Sequence, residues 1–369
     1  MEPSERYLAL DVLRGMTIVL MILVNTPGNW QYVYAPLEHS PWHGCTPADL
    51  VFPFFLFVVG VSLFFSLANY QNQLSRQSLW RVGRRTLLIF VIGLFINSYP
   101  QWLADYSHLR IMGVLQRIAV AYGLAALIVL GAPRRLLPGI GVFILTAYWG
   151  ILYFLGGSDP YSLSGNTAIP FDRCLLGENH MYRGFGVPFD PEGILSSLPA
   201  AVTVLIGYLA GGVIRETEIG RVPLRLIFYG LAFAVAGYLW GFVFPINKPL
   251  WTGSYVLYTA GLAALTFAVL IYIIDLKGYK KWSLLFSVFG MNPLFLFVLS
   301  ILWGKTLRQV IRIPAGDGTT MAGSAWLYQN IFVPWAGLMN GSLAYALAHI
   351  VFFWLIGYAL FKYRFFVKV

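Results

Sequence analysis

The segment HSPWHGCTPADLVFPFFLFVVGVS, residues 39–62, decides the fold class. A polar, ionisable cluster (His39, Trp42, His43, Asp49) runs directly into an apolar stretch. That stretch is long enough to cross a bilayer, which takes about 20 residues. Just upstream, another apolar run carries Asp11, Arg14 and Asn25. Polar groups in and beside membrane spans are costly to keep there, so they mark transport or chemistry at a membrane boundary.

Working outward, apolar runs of this length recur along all 369 residues. The chain is 58% hydrophobic and 11% charged, with a mean hydropathy of +0.70. A soluble domain would carry about 25% charged residues. The reading is an all-α, polytopic helical membrane protein, a single transmembrane domain over 1–369. Ten spans are predicted: 8–25, 48–69, 84–99, 112–130, 138–156, 194–214, 225–244, 254–275, 284–303 and 341–361. Many of the 12 Trp and 22 Tyr fall near their ends, as an aromatic belt requires. The first run, interrupted by Asp11 and Arg14, reads as a retained helix and not a removable signal.

Orientation follows from the basic residues. With the N-terminus inside, 17 of the 25 Lys and Arg lie on inner segments and helix ends, from Arg6 to Lys368. The other 8 are Arg110, Arg117, Arg173, Arg183, Lys248, Lys305, Arg308 and Arg312. Both termini are therefore expected in the cytoplasm. The net charge of +10 is spread over short loops with no basic, aromatic-interleaved stripe, which argues against nucleic acid as a partner. The outer segments 26–47, 100–111, 157–193 and 304–340 are the elaborated ones, and loops carry function more often than scaffold does. Cys45 and Cys174 both fall there, either as a disulfide in an oxidising compartment or as two unrelated thiols.

Several residue groups could carry chemistry. On the first helix Asp11, Arg14 and Asn25 share one face, over about 21 Å of rise. Asp11 and Arg14 also suit a self-satisfied i,i+3 pair. Arg110 and Arg117 stand seven residues apart in the fourth span, either in ion pairs with Asp11 or Asp49 or lining a cavity that accepts phosphate. His39 is the best proton-transfer group: its ordinary pKa near 6.5 suits a general base or a nucleophile. Asn25 is a neutral donor able to stabilise an oxyanion. Asp190 and Glu192 precede the sixth span, as helix caps or as site carboxylates. Asn247, Lys248 and Trp251 sit at the outer mouth of the seventh and eighth spans, a combination suited to a sugar's hydroxyls and ring face. Asn292-Pro293 interrupts the ninth span, where a kink is expected. Five scattered histidines and two distant cysteines offer no metal-ligand spacing.

The segments LDVLRG (10–15), Asn25, residues 39–62, RIMGVLQRIA (110–119), FDPEGIL (189–195), PINKPLWTGSYVL (245–257) and GMNPLFLF (290–297) together resemble one family. Their order and spacing are similar to the heparan-α-glucosaminide N-acetyltransferase family of transmembrane acyltransferases, here as a compact bacterial relative in the inner membrane. The resemblance implies that an acetyl group passes from cytosolic acetyl-CoA to the amine of a glucosamine-type sugar on the far side. It maps the family's catalytic histidine and asparagine onto His39 and Asn25, and it is compatible with a homodimer. Acetyl-CoA contacts are expected from Arg14, Arg84, Arg85, Arg117 and Lys281. The acceptor is expected to meet Trp42, Asp49, Asp190, Glu192, Asn247, Lys248 and Trp251. Direct transfer with His39 as base and a route through acetyl-histidine both remain open. A transporter for amino sugars or N-acetylglucosamine is the alternative, against which no inverted repeat is visible.

Overall fold

A computed structural model describes residues 7–68, 73–101, 106–314 and 319–367. Arg6 and Lys368, which enter the charge asymmetry above, lie outside these, as does residue 69 of the second predicted span.

The described residues form thirteen α-helices, with short 3₁₀ and π turns between or after them. They are α1 (Leu8–Asn25), α2 (Pro47–Ala68), α3 (Arg76–Ser98), α4 (Val114–Gly131), α5 (Leu137–Leu155), α6 (Ala168–Leu176) and α7 (Ser197–Glu216). The rest are α8 (Val222–Trp240), α9 (Gly253–Leu270), α10 (Leu284–Met291), α11 (Pro293–Lys305), α12 (Gly323–Leu327) and α13 (Val333–Lys362). A two-stranded antiparallel hairpin, Arg312–Pro314 with Thr320–Ala322, sits in the last long connection. Every predicted span is helical. Eight helices are long and apolar enough to cross a membrane, or nine with α10 and α11 taken as one broken span. The tenth, predicted at 84–99, is the C-terminal part of α3, whose Arg76, Arg81, Arg84 and Arg85 leave it too charged to qualify.

Close backbone contacts hold the bundle together. Where lipid surrounds a protein, small residues let helices approach and gain dispersion contacts, since apolar burial alone gives no advantage over lipid. At the α2–α7 crossing, a Cβ on Gly60 would lie 2.0 Å from the Val204 carbonyl oxygen. One on Gly207 would lie 2.1 Å from that of Phe57. The α1–α10 crossing repeats the device, with Gly15 against Phe286 and Gly290 against Asp11. α7 is consequently central, with 83% of its apolar stretch buried, whereas α5 at 28% faces outward.

The break between α10 and α11 is a 74° bend at Asn292. Pro293 disfavours helical geometry in the residue before it, and Asn292 stands at φ −130°, ψ 51°. The freed side chain is used: Nδ2 donates to the Phe365 carbonyl at 3.0 Å, and Oδ1 accepts from Val367 N at 2.8 Å. The C-terminal tail is thereby fastened to the break. α13 likewise starts earlier than predicted, because a kink at Gly337 (φ 74°) joins a short helix to the span proper.

The helix ends group the loops. Residues 26–46, 156–196 and 241–252 meet at one end of the bundle, where Trp42 Nε1 donates to the Tyr161 carbonyl and Gly44 N to that of Ile246. At the other end, Ala9 N reaches Asp275 and Arg134 pairs with Glu216.

Gly60→Leu should cost about 3 kcal/mol or more, the upper end of the overpacking range, because backbone and not side chain must move. Gly83→Leu, where nothing lies within 4 Å, should cost nothing. Thermal unfolding of both variants in detergent checks the contrast.

Candidate active site

Asp49 organises the loop-rich end. It lies in the first turn of α2, 1% exposed, near the positive end of the helix dipole. Its Oδ2 accepts from Ser40 N (3.0 Å), Thr46 N (3.1 Å) and Thr46 Oγ1 (3.1 Å). Its Oδ1 faces His39 Nδ1 at 2.8 Å and Lys248 Nζ at 3.2 Å. Only a carboxylate can accept from so many donors. His39 Nδ1 must then carry the proton, which leaves the lone pair of the neutral ring on Nε2. The His39 side chain is 45% exposed, so that lone pair is reachable. A buried anion orienting a half-exposed imidazole is the arrangement that prepares a general base or nucleophile.

Lys248 completes a three-residue cluster. Its Nζ lies 3.0 Å from His39 Nδ1 and 3.4 Å from Nε2. Burial lowers the pKa of its ammonium below the ordinary lysine value, while the Asp49 carboxylate opposes that shift. Neighbouring Cys45 is half-buried, and burial together with Asp49 pushes its thiol up to about 12. Burial also lowers His43, with Asp159 acting against the shift.

The remaining motif residues brace this cluster. Asn247 is fully buried: Oδ1 accepts from Leu250 N at 2.7 Å, and Nδ2 donates to the Trp42 carbonyl at 3.0 Å. It ties the loop before α9 to the loop before α2, which is how Lys248 comes to face His39 across 209 residues of chain. Trp42 packs edge-on against Phe185 and Phe189. Trp251 is 1% exposed, donates to Thr203 Oγ1 at 3.2 Å and lies 4.9 Å from the guanidinium carbon of Arg117.

Asp190 and Glu192 face Arg110, which forks onto Asp190 at 3.0 and 2.7 Å and also reaches Glu192. Those two carboxylates raise the Arg110 pKa further, against the effect of its burial. Arg117 is completely buried and bonds Ser196 Oγ and the Gly193 carbonyl. Close by, burial pushes the Asp172 carboxyl up to about 6, although Ile194 N and Leu195 N both donate to it.

Two cavities flank α1. One, of about 320 Å³, is lined by Arg14, Ser62, Arg81, Arg85 and Tyr122, with Phe55, Val58 and Ile118 as apolar wall. The tail residue Val367 and the start of α11 close it. Arg14 is held by Asp11 Oδ1 (3.1 Å), Ser62 Oγ (2.7 Å) and the Gly290 carbonyl (3.3 Å). Arg85 lies over the Tyr122 ring at 4.8 Å, and its buried Nε has no hydrogen-bond partner. Arg84, Arg117 and Lys281 do not line this cavity. Arg81 was missed in the sequence reading. It lies one turn before Arg85 on the same helix face, a spacing that was legible.

The other cavity, of about 440 Å³, contains Asn25 at the end of α1 together with Trp30, Arg308, Tyr328, Tyr345 and His349. Asn25 is exposed there and makes no hydrogen bond to His39 among the described residues. His349 is 7% exposed, its Nδ1 bonded to the Tyr345 carbonyl at 2.9 Å. It too was overlooked, although an ionisable residue inside an apolar span is a signal in itself. Cys45 and Cys174 are both free, so no disulfide joins the two outer segments.

The Cys45 environment has a measurable consequence. Thiolate is the reactive form, so each pH unit below the pKa lowers reactivity tenfold. Cys45 alkylation should keep rising from pH 8 to 11, whereas a free thiol levels off above about 8.5. Peptide mass spectrometry after timed alkylation checks it.

Comparison with known proteins places these motifs. A family model described as heparan-alpha-glucosaminide N-acetyltransferase, catalytic, matches residues 6–239. Heparan-alpha-glucosaminide N-acetyltransferase of Homo sapiens is 28% identical over 351 residues, covering 79% of this chain and 52% of the human protein. The Mus musculus protein of that name is 29% identical over 354 residues, covering 80% and 53%. The chain spans about half the length of the curated relatives it matches. With the family model covering well over half of its residues, the chain belongs to the heparan-alpha-glucosaminide N-acetyltransferase catalytic family.

Proposed function

We propose that the protein is a multi-pass membrane acetyltransferase that moves an acetyl group from acetyl-CoA to the amine of a glucosamine-type sugar. The observation that carries this reading is the cluster in which Asp49 fixes the tautomer of a reachable His39. The curated relatives named as N-acetyltransferases support it.

In this reading the basic cavity receives the acyl-CoA from the cytoplasmic side of a bacterial inner membrane, with both termini on that side. Arg14, Arg81 and Arg85 would meet phosphates, and Phe55, Val58 and Ile118 would enclose the apolar arm. The unpartnered Nε of Arg85 fits an anionic ligand, since a buried donor without an acceptor is costly. Arg84 and Lys281, exposed on the same basic end, would add longer-range attraction. Arg117 would act indirectly, by holding Gly193 and Ser196 at the start of α7.

At the opposite face, His39 Nε2 takes a proton from the acceptor ammonium and passes it to solvent. The free amine attacks the thioester carbon, and the C–S bond breaks as the second N–H proton travels through His39 to the departing CoA thiolate. Asp49 stabilises the imidazolium that forms. Asn25, whose amide has no partner among the described residues, would donate to the developing oxyanion. Glu192 and Lys248 would meet the sugar, while Trp42, Asp190, Asn247 and Trp251 shape the walls behind them. Direct transfer is favoured over an acetyl-histidine route. Parallel double-reciprocal lines in initial-rate kinetics would count against it.

His39→Ala and Asp49→Asn should each lower kcat with acetyl-CoA and glucosamine by about 10²–10⁴, the usual worth of a general base. The asparagine acts by donating to Nδ1 and so placing the ring proton on Nε2. Arg81→Ala or Arg85→Ala should instead raise the acetyl-CoA KM roughly tenfold, as loss of one charge-assisted hydrogen bond implies. Radiolabelled acetyl transfer by purified protein in detergent measures both. Full activity in His39→Ala would refute the assignment, and sugar uptake into vesicles without acetyl-CoA would favour a transporter.

A further inference from the structure

We propose that Lys248 is itself an acetyl acceptor, a self-acetylation site whose side-chain amine is held by Asp49 against the imidazole of His39. The inference rests on the reading of His39 as the base of an acetyl transfer. It deepens that reading by identifying where an acceptor amine is held.

A general base must come within about 2.6–3.2 Å of the group it deprotonates, or slightly farther before substrate tightens the site. Lys248 Nζ lies 3.4 Å from His39 Nε2, the nitrogen with the lone pair and slightly beyond that range, 3.0 Å from the protonated Nδ1, and 3.2 Å from Asp49 Oδ1. Among the described residues it is the one lysine that contacts a histidine ring. Lys305, another partly buried lysine, donates instead to the Ile96 and Tyr99 carbonyls. The position is therefore fitted for a primary ammonium, with one anion to attract it and one imidazole to deprotonate it. A sugar ammonium and Lys248 Nζ would compete for the same place.

The surroundings favour nitrogen over the nearby sulfur. Only an unprotonated amine attacks a thioester, and burial enlarges that fraction at Lys248, although Asp49 and Glu192 work against it. The Cys45 thiol, pushed up to about 12, stays protonated and is a poor rival.

The step balances without another reactant. The Lys248 ammonium gives a proton to His39 Nε2, from which it passes to solvent. The amine lone pair forms the new C–N bond, the C–S bond breaks, and the second N–H proton travels through His39 to the departing CoA thiolate. The products are an amide on Lys248, free CoA thiol and one proton.

The test incubates purified, full-length protein with trideuteroacetyl-CoA, with and without glucosamine, and reads the isotopic mark by peptide mass spectrometry. Sugar acetylation is assayed on the same preparation. The expected result is a mark on Lys248 that forms about a hundredfold more slowly in His39→Ala, the low end of a general base's contribution. Exposed Lys277, Lys280 and Lys281 serve as internal controls and should be marked alike in both proteins. Saturating glucosamine should suppress the Lys248 mark several-fold, a readout that needs no variant. Sugar acetylation without any Lys248 mark overturns the inference and leaves the proposed function standing. A mark equally fast in His39→Ala, or indifferent to glucosamine, also overturns it. Absence of both products overturns the two together.

Discussion

A buried carboxylate that must find its donors shapes the loop-rich end of this protein. Asp49 is removed from water at the mouth of a membrane span, where an unpaired charge would be prohibitive. Five donors converge on it: two backbone amides, a hydroxyl, an imidazole and an ammonium. Meeting that demand folds residues 39–46 back over the start of α2 and draws in the loop before α9. The geometry of His39 is a by-product of satisfying Asp49. This explains how a loop histidine, half exposed, is nonetheless held in one orientation.

The same economy recurs at the basic end. Arg14 is fixed by Asp11, Ser62 and the Gly290 carbonyl, so the closest helix crossing and the cavity share one set of contacts. Asn292 fastens the chain's tail across the broken helix, and Val367 of that tail lines the cavity. Packing devices and site walls are made from the same residues. Loss of either feature should therefore disturb both fold and cavity.

Much of the architecture was legible in the sequence because span length and apolar content are set by bilayer thickness. The all-helical class, the positions of ten helices and the interruption at Asn292 all follow from local pattern. The Asp11–Arg14 pair was one of two open readings, and the structure contains it. What was not legible depends on contacts distant in sequence. Nothing local says that Asn247 is a brace with both amide atoms committed, or that Trp251 is core. Arg117 could be read as a cavity residue or as a paired one, and its bonds to Ser196 and Gly193 needed the fold. Gly15, Gly60 and Gly290 stood in quoted motifs, but their role at crossings is invisible until the partner helix is known. Arg84 and Arg85 were read as acetyl-CoA contacts within the predicted span 84–99, but which arginines of α3 face the cavity depends on how that helix packs.

In the proposed mechanism the thioester is delivered to His39 and not to His349 in the second cavity. The most direct measurement is a structure of the protein with a non-hydrolysable acetyl-CoA analogue. The account predicts phosphates against Arg14, Arg81 and Arg85, and the acyl carbon close enough to His39 for an amine between them to attack, with reacting atoms about 3–3.5 Å apart. An acyl group seated beside His349, with His39 left facing solvent, would contradict it.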